Sequence, residues 1–235
     1  MSTSGDSQSG TASTAPAPAS DLAFQRARSP EQKEQRRHDI LAAARKLGTR
    51  DGVRAVTLTD IAAEAGVHKS AVLRYFETRE AVFLLLTAEH WQDWAKALEQ
   101  ALPEPARPEQ VAAVLAGTLS DRPLFCDLLA HAPLNLERGV SLAAVRSFKM
   151  TAIAEAEAVS AALCLALPLT LDQAGNVVAT ATAMAGALWQ MAAPGTELRR
   201  FYEDTPELAH AVIEVGPRLS SILTALLRGY RTPSG

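Results

Sequence analysis

The chain has 235 residues, 48% of them hydrophobic and 21% charged, close to the average for globular domains. Wholesale disorder is excluded by that composition, and no uncharged apolar run reaches the ~18–20 residues of a membrane span. The net charge of −3 is unevenly spread: residues 26–79 hold twelve Lys/Arg against seven Asp/Glu (+5), and residues 80–235 hold eleven against seventeen (−6). A basic block before an acidic one suggests a polyanion-binding head on a non-binding body. Two cysteines, Cys126 and Cys164, cannot build a disulfide framework and read as reduced thiols of a cytoplasmic protein.

The first twenty residues are nearly all Ser, Thr, Ala, Gly and Pro. Such a segment buries too little apolar surface to offset its ordering entropy, so residues 1–28 are expected to form a disordered tail. Order is expected from Ser29, where Ser-Pro-Glu-Gln reads as a capped helix start. Ile40, Leu41, Ala44 and Leu47 keep the helical period, and Gly52 supplies a stop. Thr57 and Asp60 form a second capping box, with Leu58, Ile61, Ala62 and Ala65 on its apolar face. Gly66 makes a turn, and a third helix is expected over 68–76.

Two short helices joined by a Gly-containing turn form a helix-turn-helix, here about 57–76. Val67, Val72 and Phe76 point one way on the third helix. His68, Lys69, Ser70, Arg74 and Tyr75 are left for another face, a short basic surface suited to the major groove. His68 reads either as a plain cap or as a cap that also touches DNA. Arg79 is poorly placed for the dipole of the helix it opens, and a phosphate partner would explain it.

Beyond Thr78 the pattern is helical throughout, with helices expected over about 79–102, 108–119, 122–136, 140–167 and 170–194, then a broken pair over 206–229 with Gly216-Pro217 as kink or restart. No strand alternation appears, so the fold class is all-α. The domains divide as tail 1–28, DNA-binding head 29–80 and body 81–235. Large aromatics and methionines of the body suit an apolar ligand. The candidates for lining a ligand pocket are Trp91, Trp94, Phe125, Phe148, Met150, Met184, Trp189 and Met191, and for each taken singly plain core is the more ordinary reading. His131, one turn after Asp127, could hold a metal or orient a polar ligand group, and an incidental helix pair is the plainer reading. The nucleotide-binding, zinc-protease and nucleophile-elbow motifs are absent, no cofactor is called for, and an enzyme is not expected.

The segment TLTDIAAEAGVHKSAVLRYFETREAV, residues 57–82, resembles the DNA-binding head of TetR-like (tetracycline-repressor-like) transcriptional regulators. It departs at His68, where Ser is usual, at Leu73, where many members place a phosphate-contacting Tyr, and at Gly48, where a core aromatic is common. The resemblance implies a ligand-responsive regulator, most often a repressor. Such a protein binds a palindromic double-stranded DNA operator as a homodimer and is released by a small, mostly apolar effector. An activator of the same family, or a helical adaptor without specific DNA binding, is the alternative. The residues matching the family's DNA-contacting surface are Thr57, Thr59, His68, Lys69, Ser70, Ala71, Arg74, Tyr75 and Arg79. The family places its dimer interface on the last two long helices, here 171–193 and 217–229. Their apolar faces carry Val178, Thr182, Ala185 and Trp189 on the first, and Leu219, Ile222, Leu223, Leu226 and Leu227 on the second. Burial of both faces within one chain is the competing reading.

Overall fold

The computed structural model describes the backbone of residues 19–192 and 194–231. Among them there is no strand, and ten α-helices carry the fold. Helix α1 runs over Ala19–Asp51, so the start expected at Ser29 is corrected. Residues 19–28 are rich in Ala, Leu, Gln and Arg, good helix formers, and Pro30 removes one donor without ending the helix. Residues 1–18 of the expected tail lie outside the described residues.

The chain divides into two compact units at His38/Asp39. In the first, Glu34 pairs with Arg37 and His38 on the solvent side of α1. The second contains the three-helix head and the body. The last four turns of α1 bury Ile40, Leu41, Ala44 and Leu47 as the periodicity predicts, and α1 ends at Gly52, whose φ of +83° only glycine adopts readily. Helix α2 (Leu58–Glu64) and α3 (Lys69–Val72) follow, joined through Gly66 at φ +66°. After α3 the chain continues as hydrogen-bonded turns to Phe76, shorter in regular helix than the expected 68–76.

In the body, α4 (Arg79–Ala101), α5 (Pro108–Ser120), α6 (Pro123–His131), α7 (Leu142–Ala166), α8 (Leu171–Ala192) and α10 (Val215–Arg231) pack as a bundle. Helix α8 lies at its centre, against α5, α6, α7 and α10. The approach of α8 to α6 is close enough that a Cβ on Gly186 would sit 2.8 Å from the Ala130 backbone nitrogen. A π-helical turn (Ala132–Leu136) extends α6. The expected capping box at Thr170 is present: its hydroxyl accepts from the Gln173 amide and its own amide donates to Gln173 Oε1. Helix α9 (Glu197–Asp204) is absent from the sequence reading, which closed the preceding helix at Pro194-Gly195 and resumed at 206. Its signal is the Thr196 cap, whose hydroxyl accepts from the Arg199 amide. Gly216-Pro217 lies in the first turn of α10 and starts it rather than kinking it.

No single described helix is long and apolar enough to cross a membrane. Helices α7 and α8 would pass that test only together, and they meet at 118°.

Candidate nucleic-acid interface and effector cavities

The head presents α3 by burying its other side. Val72 is fully buried and Phe76 nearly so, with Val67 and Tyr75 half-buried against the same core. His68, Lys69, Ser70 and Arg74 are exposed, and none has a side-chain partner among the described residues. Ala71 and Tyr75 lie half-buried beside them. His68 occupies the N-cap position of α3 but its side chain makes no capping bond, so the capping half of its expected role is corrected. The imidazole is left facing solvent with Lys69.

Thr57 and Thr59 are exposed at the start of α2. The Thr57 hydroxyl is committed locally: it accepts from the Asp60 amide at 3.2 Å and donates to Asp60 Oδ2 at 2.6 Å. Those hydrogen bonds hold the Asp60 carboxyl below its ordinary range. A carboxylate on the first turn leaves less of the helix dipole for a phosphate, so a contact there falls to Thr59 and backbone amides.

Arg79 is the clear correction. Its guanidinium turns inward, where Nε donates to the Val56 carbonyl and a terminal nitrogen to the Val53 carbonyl. The other terminal nitrogen donates to Glu80 at 2.8 Å, and the group lies over the Phe83 ring at 5.0 Å. With 17% of its side chain exposed, Arg79 is a strut under the loop between α1 and α2, and its position at a helix start needs no phosphate.

The body's expected aromatic pocket is mostly core. Trp91, Trp94 and Phe125 pack against one another at 5.5–6.1 Å between ring centroids. The Trp94 indole donates to Thr118 Oγ1 at 3.0 Å, so it has no polar tip left for a ligand. Phe148 is buried under Lys149, whereas Met150 and Met191 point to solvent. Met184 is half-buried against the core. Trp91, Trp94 and Phe125 fill one another's surroundings, as the close packing of an interior requires. His90 joins the same cluster, stacked on Phe125 at 5.8 Å, with Nε2 buried and unpartnered. Burial, with Arg45 and Arg122 adding to it, pushes its pKa down to about 4. Cys126 is buried and its thiol is pushed up to about 12 by burial, which leaves it inert.

Trp189 lines two cavities. One, about 430 Å³, lies where α8, α9 and α10 meet, beside Arg199, Ile213 and Glu214. The Arg199 guanidinium spans it, donating to the Ile213 carbonyl at 2.9 Å and to Glu214 at 2.7 Å. The other, about 510 Å³, lies in the seam between the end of α1 and helices α6 and α8. Its floor is the Asp127–His131 pair. Asp127 accepts from the Val53 amide and from Gln190 Nε2, both at 2.7 Å, with His131 Nδ1 3.3 Å away. The pair is therefore a joint between head and body rather than an incidental contact. Sequence spacing gave the i,i+4 pair and could not give Val53 or Gln190, which arrive from 74 and 63 residues away. Among the described residues no three His, Cys, Asp or Glu group to hold a metal.

The expected dimer residues divide. Val178, Thr182, Ala185, Leu219 and Leu223 are buried within the single chain, where α8 and α10 pack on each other and on α5. Leu227 is buried with them. Assignment of that face to a partner is corrected, because it is the chain's own core. Ile222 and Leu226 are half-buried at its edge.

Two family models together match almost all of the second unit: "Bacterial regulatory proteins, tetR family" over residues 40–86 and "Tetracyclin repressor-like, C-terminal domain" over 88–234. The chain belongs to the TetR family. It is a ligand-responsive, DNA-binding transcriptional regulator. Solved structures share the fold. The fatty acid degradation regulator FadR from Bacillus halodurans is 15% identical with a TM-score of 0.53, over 82% of this chain and 96% of that one. The transcriptional regulator FadR from Bacillus subtilis, solved in complex with stearoyl-CoA, is 17% identical with a TM-score of 0.52, over 82% and 98%. A TetR-family regulatory protein from Rhodococcus is 14% identical with a TM-score of 0.52, over 82% and 96%. At these identities the likeness is one of fold. Among curated proteins, none matches the chain. TetR-family regulators bind DNA and small molecules and act as dimers.

Proposed function

We propose that this chain is a repressor that places α3 in the major groove of a palindromic operator, as one half of a homodimer. The observation that carries the reading is the exposed, unpartnered set His68, Lys69, Ser70 and Arg74 on an element whose opposite side is buried. Lys69 and Arg74 neutralise phosphate or read guanine O6 and N7, Ser70 and His68 hydrogen-bond base edges or phosphate, Ala71 allows close approach, and Tyr75 offers its hydroxyl to a phosphate. Two such heads read half-sites about one duplex turn apart, roughly 34–36 Å.

The dimer face is the outer side of the same two helices whose inner sides form the core. On α8 the exposed positions include Ala179, Ala183 and Ala187, and on α10 Ser221, Ala225 and Gly229. Small residues at four-residue spacing let two helix pairs approach closely across a two-fold axis. An effector that prefers a different arrangement of head and body shifts the population away from the DNA-bound state, and ~1–3 kcal/mol of coupling changes affinity about 5–150-fold. The reading contains no catalytic step and fits a cytoplasmic protein.

The test is fluorescence anisotropy on DNA fragments flanking the protein's own gene, across a salt series. Preference for one fragment over random DNA, with affinity falling steeply as salt rises, is the expected result. Equal affinity for every fragment would leave the adaptor reading standing instead.

A further inference from the structure

We propose that the seam cavity between the end of α1 and helices α6 and α8 is the effector site, and that it takes a small amphiphilic carboxylate. Its volume, about 510 Å³, lies within the ~300–1,000 Å³ usual for small-molecule sites. Leu124, Leu134 and Trp189 give it an apolar wall, enough for a short alkyl chain or a ring.

The sign of the ligand's charge follows from which groups are already engaged. Both carboxylates that line the cavity are occupied. Asp51 holds Arg50 through two contacts of 2.6 and 2.8 Å, and Asp127 holds Val53, Gln190 and His131. A cationic ligand would have to displace one of these sets. The donors are less committed. Arg54, exposed at the rim, has no partner among the described residues. His131 Nδ1 lies 2.9 Å from the Asp127 carbonyl and 3.3 Å from its carboxylate. Both are acceptors, so Nδ1 carries the proton. Nε2 makes no hydrogen bond among the described residues, and the ring lines the cavity. With His131 as the imidazolium that its hydrogen bond to Asp127 favours, a carboxylate there would meet Arg54 from the rim and Nε2–H from the floor, with its apolar part against Leu124 and Trp189.

Position explains why occupancy would matter. One wall is the last turn of α1 and the Gly52–Arg54 loop, which belongs to the head, and the other is α6 and α8 of the body. A ligand wedged there favours whichever separation of the two walls fits it.

The proposal rests on the regulator reading for its consequence, but binding is measured without DNA, so the two fail separately. Calorimetry on the full chain would compare octanoate, octanol and octylamine. Saturable binding of octanoate, absent for octylamine and weaker by about tenfold or more for octanol, is expected. Arg54→Ala, at an exposed position with no structural contact, is expected to weaken octanoate by about tenfold. Leu134→Trp, at a residue 63% exposed on the cavity's edge, is expected to fill the space and abolish binding without lowering Tm. No saturation by octanoate, equal affinity for octanol, or unchanged affinity in both variants would overturn the site. An operator affinity that octanoate leaves unchanged would overturn its role as effector site.

Discussion

The Asp127 carboxylate, on α6 of the body, accepts a 2.7 Å hydrogen bond from the Val53 amide, at the hinge of the head. Arg79 takes the carbonyl of the same Val53 from the other side. Both polar groups of one buried residue are thus satisfied by side chains from separate elements, which fixes the loop that leads into α2.

Removing Asp127 therefore loosens the head. Asp127→Ala leaves the buried Val53 N–H unsatisfied and strips His131 and Gln190 of their partner, and a loss of about 2–4 kcal/mol is expected from urea melts. Operator affinity should fall with it, because α3 is carried on that loop.

Arg79 and Lys69 are expected to separate structure from recognition. Arg79→Ala frees two buried carbonyls and should cost about 2–4 kcal/mol of stability. Lys69→Ala and Arg74→Ala should leave Tm within about 1–2 °C, since both are exposed. Each should still weaken operator binding by about 1–3 kcal/mol, and a lost phosphate contact should flatten the log–log salt slope by about 0.9. If Arg74→Ala unfolds the head while Arg79→Ala only weakens DNA binding, the two roles are exchanged.

Stability should peak near neutral pH. His90 titrates at about 4 in the folded chain against 6.5 ordinarily, chiefly through burial. A depressed histidine favours the neutral form, so its contribution is complete above about 6.5 and is lost as pH falls towards 4. The loss should be about 3 kcal/mol, and His90→Leu should flatten that limb. His131 has the opposite sign. Its hydrogen bond to Asp127 raises its pKa above 6.5, so its contribution is complete below 6.5 and is lost as pH rises through the folded value. Asp127 is desolvated, but hydrogen bonds from His131, Val53 and Gln190 outweigh this and hold it below 3.8. Its contribution is present above that value and disappears in strong acid. Thermal melts from pH 4 to 9 should show both limbs, and Asp127→Asn should remove the alkaline one.

Gly186→Ala should destabilise by about 1–3 kcal/mol although alanine favours helix by about 1 kcal/mol. The added Cβ would meet the Ala130 backbone at 2.8 Å, and backbone cannot swing aside as a side chain can. A rise in Tm would show that α6 and α8 are free to separate.

The dimer proposal has its own check. Ala183→Glu, on the outer side of α8, should convert the dimer to monomer in sedimentation at micromolar concentration without lowering monomer Tm. A dimer that survives it would place the interface on another face.

By itself the sequence determined the all-α class, the helix-turn-helix and the capping of its helices, because those depend on residues three or four positions apart. Thr57 and Asp60, or Thr170 and Gln173, meet whatever the rest of the chain does. It also marked His68, Lys69, Ser70 and Arg74 as the outer side of α3, since Val72 and Phe76 claim the inner one. Tertiary structure alone decided which side of α8 faces inward, because both sides are apolar or small and periodicity cannot rank them. It sent Trp91, Trp94 and Phe125 into the core for the same reason: an aromatic cluster reads alike whether rings or a ligand fill the gap. Arg79 turned inward, and Asp127 found Val53, through contacts spanning 26 and 74 residues. Contacts of that length exist only after the helices have packed, and local spacing carries no trace of them.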